Sequence, residues 1–135
     1  MSPKTAGATL SMFGMVTEDL SKTLAFYRKL GLDIPADADN APHAEVTLPG
    51  GVRLAWDTVE TIRSFAPNWK APKGGDYRFA VAFEYDSSSE VDAAYKELVE
   101  AGAEPFKEPF DAVWGQRYAI VKDPDGNAVD LFSAL

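Results

Sequence analysis

Hydrophobic and polar positions along the chain follow two periods. Between Asp19 and Leu30 the apolar residues Leu20, Leu24, Tyr27 and Leu30 fall on one face of a 3.6-residue turn, which predicts a helix. Asp19 occupies the N-cap position, and Gly31 stands where a left-handed residue ends such a helix. A second stripe, Val91, Ala94, Tyr95, Leu98 and Val99, predicts a helix from about Ser88 to Ala101. Ser87 with Glu90 three residues on has the spacing of a capping box, and Gly102 closes this helix.

Strand-like segments flank each helix. Leu10–Thr17 precedes the first; a short piece near Leu32, then His43–Leu48 and Val52–Asp57 follow it. Tyr77–Tyr85 precedes the second helix, and Glu104–Glu108, Arg117–Lys122 and Ala128–Ser133 follow it. Leu48-Pro49-Gly50-Gly51 and Asp123-Pro124-Asp125-Gly126 join the last strand pair of each half, with proline early and glycine late, as tight turns require. The order strand, helix, strand, strand, strand thus occurs twice. Tyr27 and Leu30 match Tyr95 and Leu98 at one offset, and Gly51 matches Gly126 at a slightly larger one. The reading is one α+β domain over residues 1–135, with a first module at about 8–58, a linker or binding loop at 59–76 and a second module at about 77–134.

Composition narrows the chemistry. The 135 residues fit one domain, large enough to bury a core without staples. The absence of cysteine removes disulfides, thiolate metal sites and cysteine nucleophiles, and one histidine, His43, leaves a multi-histidine metal site hard to build. A net charge of −8 argues against nucleic acid, whose phosphates need a basic surface. No apolar run reaches the roughly 20 residues of a membrane span, and the first residues lack an apolar signal stretch, so the expectation is a cytoplasmic protein without a membrane partner.

Three stretches resemble the vicinal oxygen chelate superfamily, which includes glyoxalase, extradiol dioxygenases, fosfomycin-modifying enzymes and the bleomycin-resistance proteins. They are Glu18-Asp19-Leu20 through Phe26-Tyr27-Arg28-Lys29-Leu30-Gly31-Leu32, Arg78 to Glu84, and Trp114-Gly115-Gln116-Arg117 through Asp123-Pro124-Asp125-Gly126-Asn127 to Leu131-Phe132. The resemblance implies two βαβββ modules whose mixed sheets curve into a half-barrel around a cleft, with a homodimer as the usual assembly. It also implies four positions for metal ligands, which fall here on Met12, Ala55, Ala80 and Asp130. A thioether, two methyl groups and one carboxylate are a poor set for a divalent cation, which takes about three nitrogen or oxygen ligands. The expectation is no metal and no other cofactor.

Strand parity sorts the remaining residues. Val52, Leu54 and Trp56 form one face of their strand, and Arg53, Ala55 and Asp57 the cleft face; Met12, Gly14 and Val16 are placed on the cleft side of the first strand. Phe79, Val81, Phe83 and Tyr85 form a buried set opposite Arg78, Ala80, Ala82 and Glu84, and Ala128, Asp130 and Phe132 face the cleft opposite Val129 and Leu131. Asp130 is either a ligand contact or the partner of Arg53, Arg78 or Arg117. His43 is either a metal ligand or an ordinary strand-edge residue. Trp69 and Trp114 fall in loops, near Phe65, Phe106 and Phe110, where they either contact a ligand or cap the barrel. The residues expected to contact a ligand are Met12, Phe65, Trp69, Trp114, Asp130 and Phe132. They suggest a metal-independent protein that binds an aromatic or antibiotic-like small molecule, similar to bleomycin-resistance proteins. The competing readings are a metal-dependent lyase, isomerase or dioxygenase with an unconventional ligand set, and a dimer whose cleft is vestigial.

Overall fold

The computed structural model describes residues 7–72 and 79–135. Strand β1 (Met12–Thr17) leads into helix α1 (Leu20–Lys29), strands β2 (His43–Thr47) and β3 (Arg53–Thr58), and a short helix α2 (Val59–Arg63). The second half runs β4 (Ala80–Glu84), α3 (Ser88–Glu100), β5 (Glu104–Ala112), β6 (Gln116–Lys122) and β7 (Ala128–Ala134). The strands form two open mixed sheets, ordered β1-β3-β2 and β4-β7-β6-β5. In each, the first strand runs parallel to the last, as the module repeat requires.

Both long helices begin as their caps predict. The Asp19 side chain accepts the amide of Lys22 at 3.1 Å, and Ser87 Oγ accepts the amide of Glu90 at 3.3 Å. The first module departs from the expected pattern after α1, where the strand near Leu32 is replaced by a 3₁₀ turn over Ala36–Asn40. The cause is local. Pro35 fixes φ at −56° and offers no amide to a ladder. Arg28 takes the carbonyls of Ile34 at 3.0 Å and Pro35 at 2.7 Å and pairs with Asp39 at 2.8 Å, so these groups are spent on the helix rather than on a neighbouring strand. Other boundaries also shift. The expected linker carries α2 in its first five residues, β5 extends to Ala112, and the strand expected at Tyr77–Tyr85 is β4 from Ala80, with residues 77 and 78 outside the described residues. Phe79, expected in the buried set, is 55% exposed and lies 5.8 Å from the Phe13 ring.

One core joins the modules. Leu20, Leu24, Phe26 and Tyr27 of α1 and Leu54 and Trp56 of β3 share a buried cluster with Val91 and Leu98 of α3 and Ala119, Val121, Val129 and Leu131 of the second sheet. The β6–β7 hairpin pins this arrangement. Asp123 accepts the Tyr27 hydroxyl at 2.7 Å, while Asp125 accepts the Glu18 amide and the Thr23 hydroxyl, each at 3.0 Å. The Asp-Pro-Asp-Gly turn therefore both closes a hairpin and ties the second module to α1, which leaves the opposite face of each sheet for other uses.

Candidate functional site

On the first sheet, the strand registers place nine residues on the face away from the shared core. They form three cross-strand rows: Met12, Arg53 and Thr47; Gly14, Ala55 and Glu45; Val16, Asp57 and His43. Gly14 and Ala55 in the middle row are small, and charges border them. His43 Nδ1 lies 2.6 Å from Asp57 Oδ1, and His43 Nε2 lies 2.8 Å from Glu45 Oε2. Arg53 Nη1 donates to Glu45 at 3.2 Å, and Arg53 Nη2 donates to Ser11 Oγ at 3.0 Å. The hydrogen bonds to Glu45 and then to Asp57 raise the His43 pKa above the usual histidine value. In return, His43 and Arg53 hold the Glu45 carboxyl below its usual range.

The second sheet presents a different surface. Ala80, Ala128 and Lys122 form one row, Ala82, Asp130 and Ile120 the next, and Glu84, Phe132, Tyr118 and Phe110 a third. Tyr118 organises the third row. Its ring stacks on Phe132 at 6.1 Å and meets Trp114 edge-on at 5.5 Å and Phe110 at 6.4 Å. Its hydroxyl donates to Asp130, a side chain only 3% exposed. Trp114 reaches this cluster because the β5–β6 turn passes through Gly115 at φ +91°, a conformation that disfavours any residue with a Cβ. Trp114 Nε1 donates to Gln116 at 2.8 Å, yet the residue stays 59% exposed.

Sequence reasoning named Trp114, Asp130 and Phe132, and all three meet at Tyr118, which it did not name. The β6–β7 register, which sets Tyr118 opposite Phe132, is the signal that points to Tyr118. Trp69 lies elsewhere. With Gly14, Val16, Phe79 and Pro124 it lines a cavity of about 550 Å³ beside β1. Phe65 is 72% exposed after α2, and Met12 is half-exposed in the row of Arg53. No described ring contact or cavity joins Trp69 to Trp114. Of the proposed partners of Asp130, Arg53 is engaged by Glu45 and Arg117 by Asp92 at 2.9 Å and Asp111 at 3.1 Å. Arg78 lies outside the described residues.

The metal positions do not fit a cation. Cross-strand register sets Ala55 between Gly14 and Glu45, whose carboxylate is engaged by His43 and Arg53, and sets Asp130 between Ala82 and Ile120, so Asp130 has no second donor directly opposite. Among the described residues no group of three or more His, Asp or Glu side chains is arranged to hold a metal ion. His43 does not supply one, because each of its ring nitrogens is spent on a hydrogen bond to a separate carboxylate.

A family model for the Glyoxalase/Bleomycin resistance protein/Dioxygenase superfamily matches residues 9–131, nearly the whole chain. The chain belongs to this superfamily. Solved structures share its fold. A glyoxalase/bleomycin resistance protein/dioxygenase family enzyme from Burkholderia phytofirmans PsJN is 21% identical, with a TM-score of 0.78 over 95% of this chain and 100% of that one. A glyoxalase/bleomycin resistance protein/dioxygenase from Nocardioides is 28% identical, with a TM-score of 0.70 over 98% of this chain and 87% of that one. A glyoxalase-related enzyme from Fulvimarina pelagi is 20% identical, with a TM-score of 0.76 over 93% and 87%. No curated protein matches. Within the superfamily, the departure of this chain lies at the positions the resemblance assigns to metal: Met12, Ala55 and Ala80 carry no hard donor. Among the described residues no helix is long and apolar enough to cross a membrane.

Proposed function

We propose that the protein is a metal-independent binder of a flat aromatic small molecule, acting by sequestration rather than by chemistry. The observation that carries this reading is the Trp114–Tyr118–Phe132–Phe110 cluster. A tryptophan that touches two rings and still leaves more than half its surface to water is placed for stacking, not for core packing. The adjacent positions Ala80, Ala82 and Ala128 leave room beside the rings, and Asp130 sits at their edge. A methyl-lined floor accepts apolar surface without competing polar groups, and the Tyr118 hydroxyl and Asp130 carboxylate supply orientation.

The reading extends to assembly. Both sheet faces lie away from the shared core, and a second copy of the chain would cover them while satisfying exposed sheet edges. The test is a thermal-shift screen against planar aromatic compounds and glycopeptide antibiotics, run on the native protein and on Trp114→Ala. A ligand that raises the melting temperature of the native protein and loses that effect in the variant supports the proposal. Equal shifts in both proteins would place the ligand elsewhere and reject the aromatic cluster as its seat.

A further inference from the structure

The charged ring on the first sheet has a feature that ion pairing alone does not require. Glu45 presents one carboxylate oxygen to His43 Nε2 at 2.8 Å and the other to Arg53 Nη1 at 3.2 Å. Each cation is held from behind by a separate partner. Asp57 sits on His43 Nδ1 at 2.6 Å, and Ser11 Oγ accepts from Arg53 Nη2 at 3.0 Å. Two oriented donors therefore converge on a single carboxylate, and that carboxylate belongs to an exposed side chain on an edge strand. Exposed pairs of this kind contribute little to stability and exchange readily.

We propose that His43 and Arg53 form a clamp for the carboxylate of a ligand, with Glu45 as a built-in plug that the ligand displaces. The inference rests on the aromatic class of ligand in the proposed function but seats a carboxylate on the first sheet, apart from the Trp114 cluster: the ligand class becomes an aromatic monocarboxylate. In the clamp's rows Met12 stands beside Arg53 and Val16 stands across Asp57 from His43, both apolar, and Val16 lines the cavity of Trp69, which offers a ring its surface within one ligand's length of the cations. Both donors are needed in protonated form. Arg53 is always charged, whereas His43 keeps its proton through Glu45 and Asp57 and would lose part of that support when Glu45 leaves. Other charged residues on the packed elements are Asp37 and Asp39 of the 3₁₀ turn, with Asp39 held by Arg28 at 2.8 Å, and Glu60 and Arg63 of α2.

The test compares 2-naphthoate with the uncharged 2-naphthalenemethanol by calorimetry in native protein, Glu45→Ala, Arg53→Ala and His43→Gln, with Glu100→Gln as a remote charge control. Removing the plug should tighten naphthoate binding by about 2- to 30-fold, the range set by two exposed pairs that no longer compete. It should leave the alcohol and the control unchanged. Arg53→Ala and His43→Gln should weaken naphthoate binding, and affinity should fall as pH rises through the His43 titration. In parallel, acetate is titrated into Glu45→Ala while the ring resonances of His43, the single histidine, are followed by NMR. Acetate-induced shifts with no binding of either naphthyl compound would uphold the clamp and count against the aromatic reading. Binding of the alcohol with no gain for naphthoate, in native protein or in Glu45→Ala, would overturn the clamp and leave the aromatic reading standing. Failure of naphthoate to bind together with silent His43 resonances would also overturn the clamp.

Discussion

The tie between Tyr27 and Asp123 gives the sharpest stability test. Tyr27 is fully buried, its ring 5.1 Å from both Phe26 and Trp56, and its hydroxyl donates to Asp123 at 2.7 Å across the two modules. Tyr27→Phe keeps the ring and deletes only the donor. Asp123, 4% exposed, retains the Asn127 side-chain amide on the same oxygen at 2.9 Å and two backbone amides on the other. A hydrogen bond to a charged group contributes about 1.5–3 kcal/mol, and the remaining donors set the expected loss near the middle of that range, about 2 kcal/mol. For 135 residues, an unfolding entropy of about 2.1 cal/mol/K per residue converts this into a melting-temperature drop of about 7 °C.

The same bond carries a pH signature. Burial, and after it the charge of Asp123, pushes the Tyr27 pKa far above its ordinary value of 10.0. The native state therefore holds this proton more tightly than the unfolded chain does. The stabilisation is fully present below about pH 10, where the unfolded phenol is also protonated, and is lost as pH rises beyond it. The gap between native protein and Tyr27→Phe should narrow by about 1.4 kcal/mol per pH unit on that alkaline limb. Urea titrations from pH 7 to pH 11 measure both quantities. A variant within about 0.5 kcal/mol of native at pH 7, the scatter expected of an indifferent substitution, would refute the tie, as would a gap that stays constant to pH 11.

Four further outcomes are expected. Trp114→Ala should weaken binding of a stacked aromatic ligand by about 30- to 1,000-fold while costing less than about 1 kcal/mol of stability, as calorimetry and urea melts would record. The His43 ring, followed by NMR, should titrate above the usual histidine value and move down in Glu45→Ala; an unmoved midpoint would mean that Glu45 does not support the proton. Protein incubated with zinc, manganese or nickel and then desalted should retain substoichiometric metal by elemental analysis, whereas one retained equivalent would contradict the reading of Met12, Ala55, Ala80 and Asp130. Light scattering should return the mass of a homodimer, and a monomer at working concentration would remove the proposed cover over the two sheet faces.

Legibility followed the physics that governs each element. The two long helices were readable to within a residue or two because period, cap and terminal glycine agreed at Asp19–Gly31 and Ser87–Gly102. The module order was legible because both hairpin turns carry their own chemistry. The strand near Leu32 was misread because what removes it is tertiary: Arg28, the penultimate residue of α1, reaches the carbonyls of Ile34 and Pro35. Phe79 was misassigned because parity says which face a side chain takes but not whether anything covers that face at the strand's end. At the candidate site, Trp114, Asp130 and Phe132 stood out by residue type. Tyr118, which joins them, looked like one more alternating residue until the β6–β7 register placed it opposite Phe132. By residue type His43 reads as a candidate metal ligand and Arg53 as a candidate partner of Asp130, while Glu45 does not stand out; only the β2–β3 register brings the three onto one face.

The two open faces assign their charges in a way that bears on mechanism. Chelation needs several donors aimed at one point with their lone pairs unspent. Here the carboxylates nearest the small residues have local partners: Asp130 takes the Tyr118 hydroxyl, Asp57 the imidazole, and Glu45 the imidazole and a guanidinium. Among the described residues they form no group of three that could hold a metal ion beside Gly14, Ala55, Ala80 and Ala82, where the superfamily resemblance would centre a cation. Filling those positions with methyl groups and glycine removes the donors and also creates apolar volume, and the side chains that border it are rings on one sheet and oriented cations on the other. Under the proposed function, a surface of that kind would discriminate by stacking area and by which ligand charge can replace Glu45. Its selectivity would therefore respond to pH through His43 and to salt through Arg53, two dependences that a dry, purely apolar pocket lacks.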